Sequence, residues 1–183
     1  MKPDATTASA ARARRLPATW LAAGGLGVIA VGALLGGAAP TTADIPVQIS
    51  APGKVEITRL HAEGVQIYEC VAGSGGLTWR FREPLATLLQ DGKTVGRHFA
   101  GPSWELAGDV VVGRVEAQTP GPTAADIAQL KLAVVRRSGG GLLAQATTIQ
   151  RLETHGGVFS GICGEPGALH LQPYAAEYVL LRD

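Results

Sequence analysis

The chain has 183 residues and nearly balanced charge, with 16 Lys and Arg against 15 Asp and Glu. Residues 1–43 hold four of the basic and one of the acidic residues, so residues 44–183 carry 12 basic and 14 acidic side chains, a net charge of −2. This balance gives no electrostatic reason to expect nucleic acid or an anionic membrane surface as a partner, because both require a basic face.

The first segment, residues 1–43, has the pattern of an export signal. A basic head is followed by a nearly uncharged apolar stretch at 16–39, and Thr41 and Ala43 are the small residues that a cleavage site requires. An uncleaved membrane anchor is the alternative, since about 20 apolar residues can span a bilayer. In either case we expect export to the periplasm or the extracellular space, with a membrane contacted only through this segment.

Residues 44–183 alternate apolar and polar side chains with period two, in short runs separated by Gly and Pro, which indicates β-strands. The predicted strands are 54–60, 64–71, 77–82, 94–100, 108–118, 130–137, 142–152 and 174–181. Residues 83–89 fit either a short helix or another strand, and 124–132 is the best helix candidate. Eight or nine short strands at regular spacing predict one all-β domain over 44–183, an antiparallel sandwich or barrel.

The two cysteines, Cys70 and Cys163, are expected to form a disulfide, because exported proteins fold in an oxidising compartment. A reactive thiol with a histidine partner is the alternative. Metal binding would need further clustered Cys or His, which the spacing does not supply.

Two His–carboxylate pairs, His61 with Glu63 and Glu153 with His155, each share a strand face and offer two metal ligands. A zinc site needs three or four ligands in one place, so we expect solvated polar residues and no metal. No cofactor motif is present, and the Gly-x-Ser-x-Gly elbow of serine hydrolases is missing.

The densest chemical segment is 96–104, which places His98 and Trp104 close together between Gly and Pro residues. Small-molecule pockets combine apolar walls with a few polar groups, and Trp79 and Tyr68 are candidates for further walls. The alternative is core packing, in which His98 bonds a backbone carbonyl and the aromatic rings fill the interior.

Short motifs occur in a fixed order along residues 46–181. They are GVQIYEC at 64–70, Trp79, PLA at 84–86, Leu88, GRHFAGPSW at 96–104, TIQR at 148–151, THGG at 154–157, Cys163 and PYAAEY at 173–178. This order resembles that of the domain-of-unknown-function 3455 family, secreted proteins of bacteria and fungi. The resemblance implies a fold-sized unit and export, without an activity, and it places both cysteines in a shared pattern. The site residues it implies are His98, Trp104, Gln150 and Arg151.

Together these patterns predict an exported, non-enzymatic β-domain that binds a small molecule or a cell-envelope component. The alternatives are a secreted hydrolase or lyase that uses His98 with a carboxylate, and a purely structural envelope protein. The positions of His98, Trp104 and Arg151 discriminate between them. One shared pocket favours binding or catalysis, whereas separate positions or a dry core favour packing.

Overall fold

Residues 44–183 are described by a computed structural model, and their eight β-strands follow one another around a closed barrel. The strands are β1 (Val55–Gly73), β2 (Gly76–Gln90), β3 (Lys93–Phe99), β4 (Ser103–Leu106), β5 (Asp109–Thr119), β6 (Gln129–Ser138), β7 (Thr148–Gly156) and β8 (Leu169–Arg182). Two short 3-10 helices, Val47–Ile49 and Leu142–Gln145, also occur in this part of the chain. The predicted export signal lies outside the described residues. Within them, no helical segment has the length and hydrophobicity needed to cross a bilayer.

The barrel is an antiparallel meander in which each strand pairs with the next, and β8 pairs back onto β1. That last ladder runs from Val55 opposite Arg182 to Glu69 opposite Leu169. Closure leaves no strand edge unpaired along the ring, which removes the usual aggregation hazard of a sheet. The predicted all-β class is confirmed, and the barrel is the architecture that the chain adopts.

Three strands, β1, β2 and β8, are several residues longer than the sequence pattern predicted, whereas the predicted strand 142–152 begins as the 3-10 helix Leu142–Gln145 and becomes β7 only at Thr148. The predicted strands 54–60 and 64–71 are one strand, β1, which passes through Gly64 without a turn. A Cβ at Gly64 would collide with the carbonyl oxygen of Leu85, so glycine permits the close approach of β2. Residues 83–89 are the second half of β2 rather than a helix, and a bulge in the β1–β2 register falls just before Pro84.

No helix forms at 124–132, the best helix candidate of the sequence, because Asp126 is hydrogen-bonded within its own loop and to the end of β7. Its carboxylate accepts hydrogen bonds from the backbone N–H of Thr123 and of Gly156, and the N–H of Ile127 donates to the Gly156 carbonyl at 2.9 Å. These bonds hold the segment in an extended path that leads into β6. The short strand β4 was not predicted, because four residues are too few to show an alternation.

One end of the barrel is filled by apolar side chains, and we call it the closed end. The 3-10 helix Leu142–Gln145 covers this end and inserts Leu143, which is fully buried. The carboxylate of Asp109 fixes the helix by accepting the N–H groups of Gly141 and Leu143 at 2.9 and 2.8 Å. The other large side chains buried there are Leu60, Leu88, Leu106, Val111 and Leu180.

At the opposite end, the loop of residues 157–168 is tied to the β1–β2 hairpin. The sulfur atoms of Cys70 and Cys163 lie at disulfide-bonding distance, with their Cα atoms 5.9 Å apart. The N–H of Cys163 donates to the Leu77 carbonyl, and the N–H of Cys70 donates to the Ala168 carbonyl. The two cysteines whose pairing the sequence predicted are therefore brought together across 93 positions of the chain.

Asp109→Ala should destabilise the closed end, because it leaves two backbone N–H groups without their acceptor. We expect a loss of about 2–4 kcal/mol in the free energy of unfolding, measured by urea denaturation. Glu116→Ala is the control, since Glu116 is exposed on β5 and forms no ion pair in the described chain. Equal stability of the two variants would contradict this role of Asp109.

Replacing Cys70 and Cys163 together by Ser should lower the free energy of unfolding by at most about 4–5 kcal/mol, because a cross-link over 93 positions restricts the unfolded chain. Denaturation without reductant measures the difference, and it should vanish when the wild type is reduced. Titration of the unreduced native protein should find no free thiol. Two free thiols would contradict the pairing.

Candidate functional site

The end of the barrel opposite the closed end is hollow, and we call it the open end. A cavity of about 530 Å³ lies there, within the size range of small-molecule sites. Strand alternation determines its lining, because inward positions of β1 to β8 all reach it. Its polar lining includes Gln66, His98 and Arg151, and its apolar lining includes Pro84, Trp104, Ile127, Leu130, Leu132 and Tyr178.

Three buried aromatic rings form one wall of the cavity. His98 and Trp104 lie directly opposite each other in the β3–β4 ladder, and their rings stack at 4.4 Å with 17° between the planes. Tyr178 of β8 contacts both rings edgewise, at 4.9 and 5.2 Å. Gly113 makes room for this group, since a Cβ there would lie 3.0 Å from the Trp104 ring. The wall is therefore tightly packed and held by four strands.

His98 is a neutral hydrogen-bond acceptor towards the cavity. Its Nδ1 atom is 2.8 Å from the backbone carbonyl of Ser103, and a carbonyl can only accept, so Nδ1 carries the proton and Nε2 carries the lone pair. Burial lowers the pKa of His98 to about 4, against the opposing effect of the Ser103 bond, and the charge of Arg151 lowers it further. The imidazole is uncharged at neutral pH.

Arg151 brings a positive charge to the same cavity. It lies on β7 directly opposite Tyr178, and its Nε and Nη2 atoms donate to the Ala128 carbonyl at 2.9 and 2.7 Å. None of the ion pairs found in residues 44–183 involves Arg151. The guanidinium is positioned by a backbone carbonyl, and its charge is left without a carboxylate partner.

Two buried donors on the cavity walls lack hydrogen-bond partners. They are the Nε2 atom of Gln66 and the Nε1 atom of Trp104, in side chains that are 3% and 1% exposed. A buried donor without an acceptor costs about 1–3 kcal/mol, so native interiors contain few of them. Both side chains border one cavity, whereas the third such group of the described residues, the Thr154 hydroxyl, lies outside its lining.

Tyr68 joins the cavity to the disulfide-linked loop. Its hydroxyl donates to the Gly157 carbonyl at 2.8 Å and accepts the N–H of Phe159 at 3.3 Å. Phe159 also contacts Trp79, which in turn packs on His170. Tyr68 lines the cavity. Trp79 belongs to an aromatic cluster with Phe159 and His170 and does not reach the lining.

The predicted site residues divide into two groups. His98, Trp104, Arg151 and Tyr68 border one cavity, and Trp79 and Gln150 do not. Gln150 lies on the opposite face of β7. Its Nε2 atom donates to the Ile49 carbonyl at 2.6 Å and holds the 3-10 helix Val47–Ile49 on the outer surface of the barrel. Adjacent residues of a strand point to opposite faces of the sheet, so Gln150 and Arg151 cannot both face the cavity.

Sequence reasoning missed Gln66, Tyr178 and Ala128. Gln66 had a usable signal, because it is a polar residue on the same strand face as Tyr68 and Cys70, which is the inward face. Tyr178 showed only ordinary strand alternation. Ala128 acts through its carbonyl, which no side-chain pattern can reveal.

The predicted His–carboxylate pairs lie away from the cavity. His61 bonds Glu177 at 2.7 Å and Glu63 at 3.2 Å on the outside of the barrel, and the bond to Glu177 is the main cause of its raised pKa. No group of three or more His, Cys, Asp or Glu side chains suited to a metal ion occurs within residues 44–183.

A family model described as a protein of unknown function, DUF3455, matches residues 51–182, which is most of the chain and includes all eight strands of the barrel. No curated protein matches the chain. No solved structure matches it either.

The imidazole of His98 should remain neutral, with the proton on Nδ1, down to a pH of about 4. The pKa of His98 in the folded protein lies below its ordinary value of 6.5. The neutral imidazole therefore contributes its full stabilisation above pH 6.5, and this contribution falls as the pH drops towards 4. The expected slope is about 1.4 kcal/mol per pH unit. NMR of the ring nitrogens measures the pKa and the tautomer.

Two variants separate this effect from the rest of the acid transition. His98→Gln should lose that part of the pH dependence of unfolding, and His155→Gln should keep it, because His155 is exposed. An imidazole that titrates near 6.5, or one protonated on Nε2 at neutral pH, would contradict the assignment.

Proposed function

The chain belongs to the DUF3455 family, and from the geometry of its barrel we propose that it binds a small organic molecule in the cavity at the open end. An eight-stranded barrel encloses an interior that side chains just fill, or that holds one small ligand when they leave room. Here the closed end is filled and the open end is not.

The observation that carries the proposal is the pair of unpartnered donors, Gln66 Nε2 and Trp104 Nε1. Leu in place of Gln66 and Phe in place of Trp104 would have avoided the desolvation penalty of these groups. A ligand that turns these enclosed groups towards the cavity and offers them acceptor atoms removes that penalty and gains orientation from it. The donors therefore favour a binding cavity over a packing defect.

The surroundings of His98 favour binding over hydrolysis or elimination. A histidine base is normally oriented by a carboxylate and has a pKa near the working pH. His98 is oriented by the carbonyl of Ser103, and its pKa of about 4 makes it a weak base at neutral pH. Its acceptor atom is better suited to holding a ligand donor than to moving a proton.

A purely structural role is less well supported. His98, Trp104 and Arg151 border a single concave space instead of pointing to separate places. A structural barrel of this size has no need for a half-buried guanidinium without a counter-charge, which burial alone makes unfavourable.

Export remains part of the proposal. The signal pattern at residues 1–43 motivates it, and the placement of Cys70 beside Cys163 supports it, since disulfides persist in oxidising compartments. We propose that the barrel works outside the cytoplasm and takes up its ligand there.

N-phenyl-1-naphthylamine, an uncharged dye that fluoresces in apolar surroundings, tests the cavity. We expect saturable binding of one dye per barrel. Val115→Trp should weaken it by about tenfold or more, because Val115 lines the open end and a larger side chain there overpacks the space. Fluorescence titration measures both affinities.

Val135→Trp is the matched control, because Val135 is about as exposed as Val115, 54% against 46%, but does not line the cavity. The control should bind the dye as the wild type does. Dye binding that does not saturate, or that both variants weaken equally, would place the dye on the outer surface and overturn the proposal.

A further inference from the structure

The charge around the cavity is positive and comes from one group. Arg151 has N–H groups beyond the two that bond the Ala128 carbonyl, and no carboxylate of the described residues pairs with it. The only other charged side chains in the lining are Arg82 and Glu83, which lie at the rim and pair with each other at 3.2 Å. Their charges offset, so the guanidinium of Arg151 determines the sign inside.

The buried groups nearby supply no negative charge. Burial raises the pKa of both Tyr174 and Tyr178, so both phenols stay protonated at neutral pH. His98 is neutral as well, for the reason given above. Arg151 therefore acts in a poorly solvated space without a compensating anion, where a charge is expensive unless it is paired.

The unpartnered groups of the same walls are mostly donors, and the Nε2 atom of His98 is the one acceptor among them. Gln66 Nε2 and Trp104 Nε1 lack acceptor atoms, and Arg151 has N–H groups beyond those that bond the Ala128 carbonyl. The rest of the lining is apolar and aromatic, from Pro84 and Leu130 to the ring of Tyr178. A complementary molecule has an acceptor-rich anionic head and an apolar body.

On the basis of the proposed binding function, we infer that the ligand is a small apolar monocarboxylate whose carboxylate group pairs with Arg151. The guanidinium matches a carboxylate in shape and takes it in a two-pronged hydrogen bond. One cation balances one negative charge, and a phosphate dianion would leave a charge buried without a partner. The wall formed by the rings of His98, Trp104 and Tyr178 holds the body.

Matched acid and amide probes test this inference. Benzoate, 2-naphthoate and octanoate are each titrated beside benzamide, 2-naphthamide and octanamide, which have the same body without the charge. Calorimetry on the wild-type protein at pH 7.5 gives each Kd. We expect at least one acid to bind about 10- to 100-fold more tightly than its amide, which is the range for a hydrogen-bonded charge pair.

Arg151→Gln should remove this preference, so that the acid and its amide bind this variant with the same Kd. Arg114→Gln is the matched control, because Arg114 is exposed on β5 outside the cavity, and it should keep the preference. Gln66→Glu is a second test that retains Arg151 and its bond to Ala128. It adds a negative charge to the wall and should weaken the acid far more than the amide.

The outcomes separate the inference from the binding function beneath it. Equal affinities for acid and amide, or an acid preference that survives Arg151→Gln, overturn the carboxylate inference and leave the cavity as a binding site. If the protein binds N-phenyl-1-naphthylamine but none of the acids, the carboxylate inference is likewise overturned and the cavity remains a binding site. If the neutral dye, the acids and the amides all fail to bind, the proposed function fails with the inference.

Discussion

The pairing of β8 with β1 is the constraint on which the rest of the molecule depends. It turns a chain of hairpins into a ring, and a ring has an inside and an outside that alternate residue by residue. Once the register of this ladder is set, the inward positions of each strand follow. The interior of an eight-stranded ring is about as wide as its side chains, so their sizes alone decide whether a given level is filled or hollow. At the closed end Leu60, Leu88 and Leu180 fill it; at the open end they give way to Gln66, Pro84 and His98.

The polar groups of the open end are held by backbone carbonyls at or next to the first residue of a strand. Ser103, at the start of β4, orients the imidazole of His98, and Ala128, just before β6, orients the guanidinium of Arg151. A carbonyl fixes direction without adding charge, so the imidazole stays neutral and the guanidinium stays unpaired. Carboxylates in the same places would have raised the pKa of His98 and cancelled the charge of Arg151. The cavity therefore owes its electrostatic character as much to loop geometry as to side chains.

Local alternation was enough to predict the fold class and several strands, because segments such as 64–71 of β1 and 77–82 of β2 repeat with period two. The merging of two predicted strands into β1 depends on Gly64 meeting Leu85 across the sheet, and no single segment shows that contact. His98, Trp104 and Arg151 were identified from residue type and family resemblance. The structure adds that these three side chains line one cavity. Gln150 points outwards because it is adjacent to the inward-facing Arg151 on β7. The helix candidate at 124–132 does not form, because Asp126 bonds Gly156, 30 positions away in the chain.

The open end combines an unfavourable feature with a compensating one. Two buried donors without partners cost about 2–6 kcal/mol together. The cross-link expected at the same end, between Cys70 and Cys163, contributes up to about 4–5 kcal/mol by restricting the unfolded chain. The cross-link stabilises the fold by restricting the unfolded chain, so its effect does not depend on the contacts around Gln66 and Trp104. A cavity wall with two unsatisfied donors is thus compatible with a stable barrel.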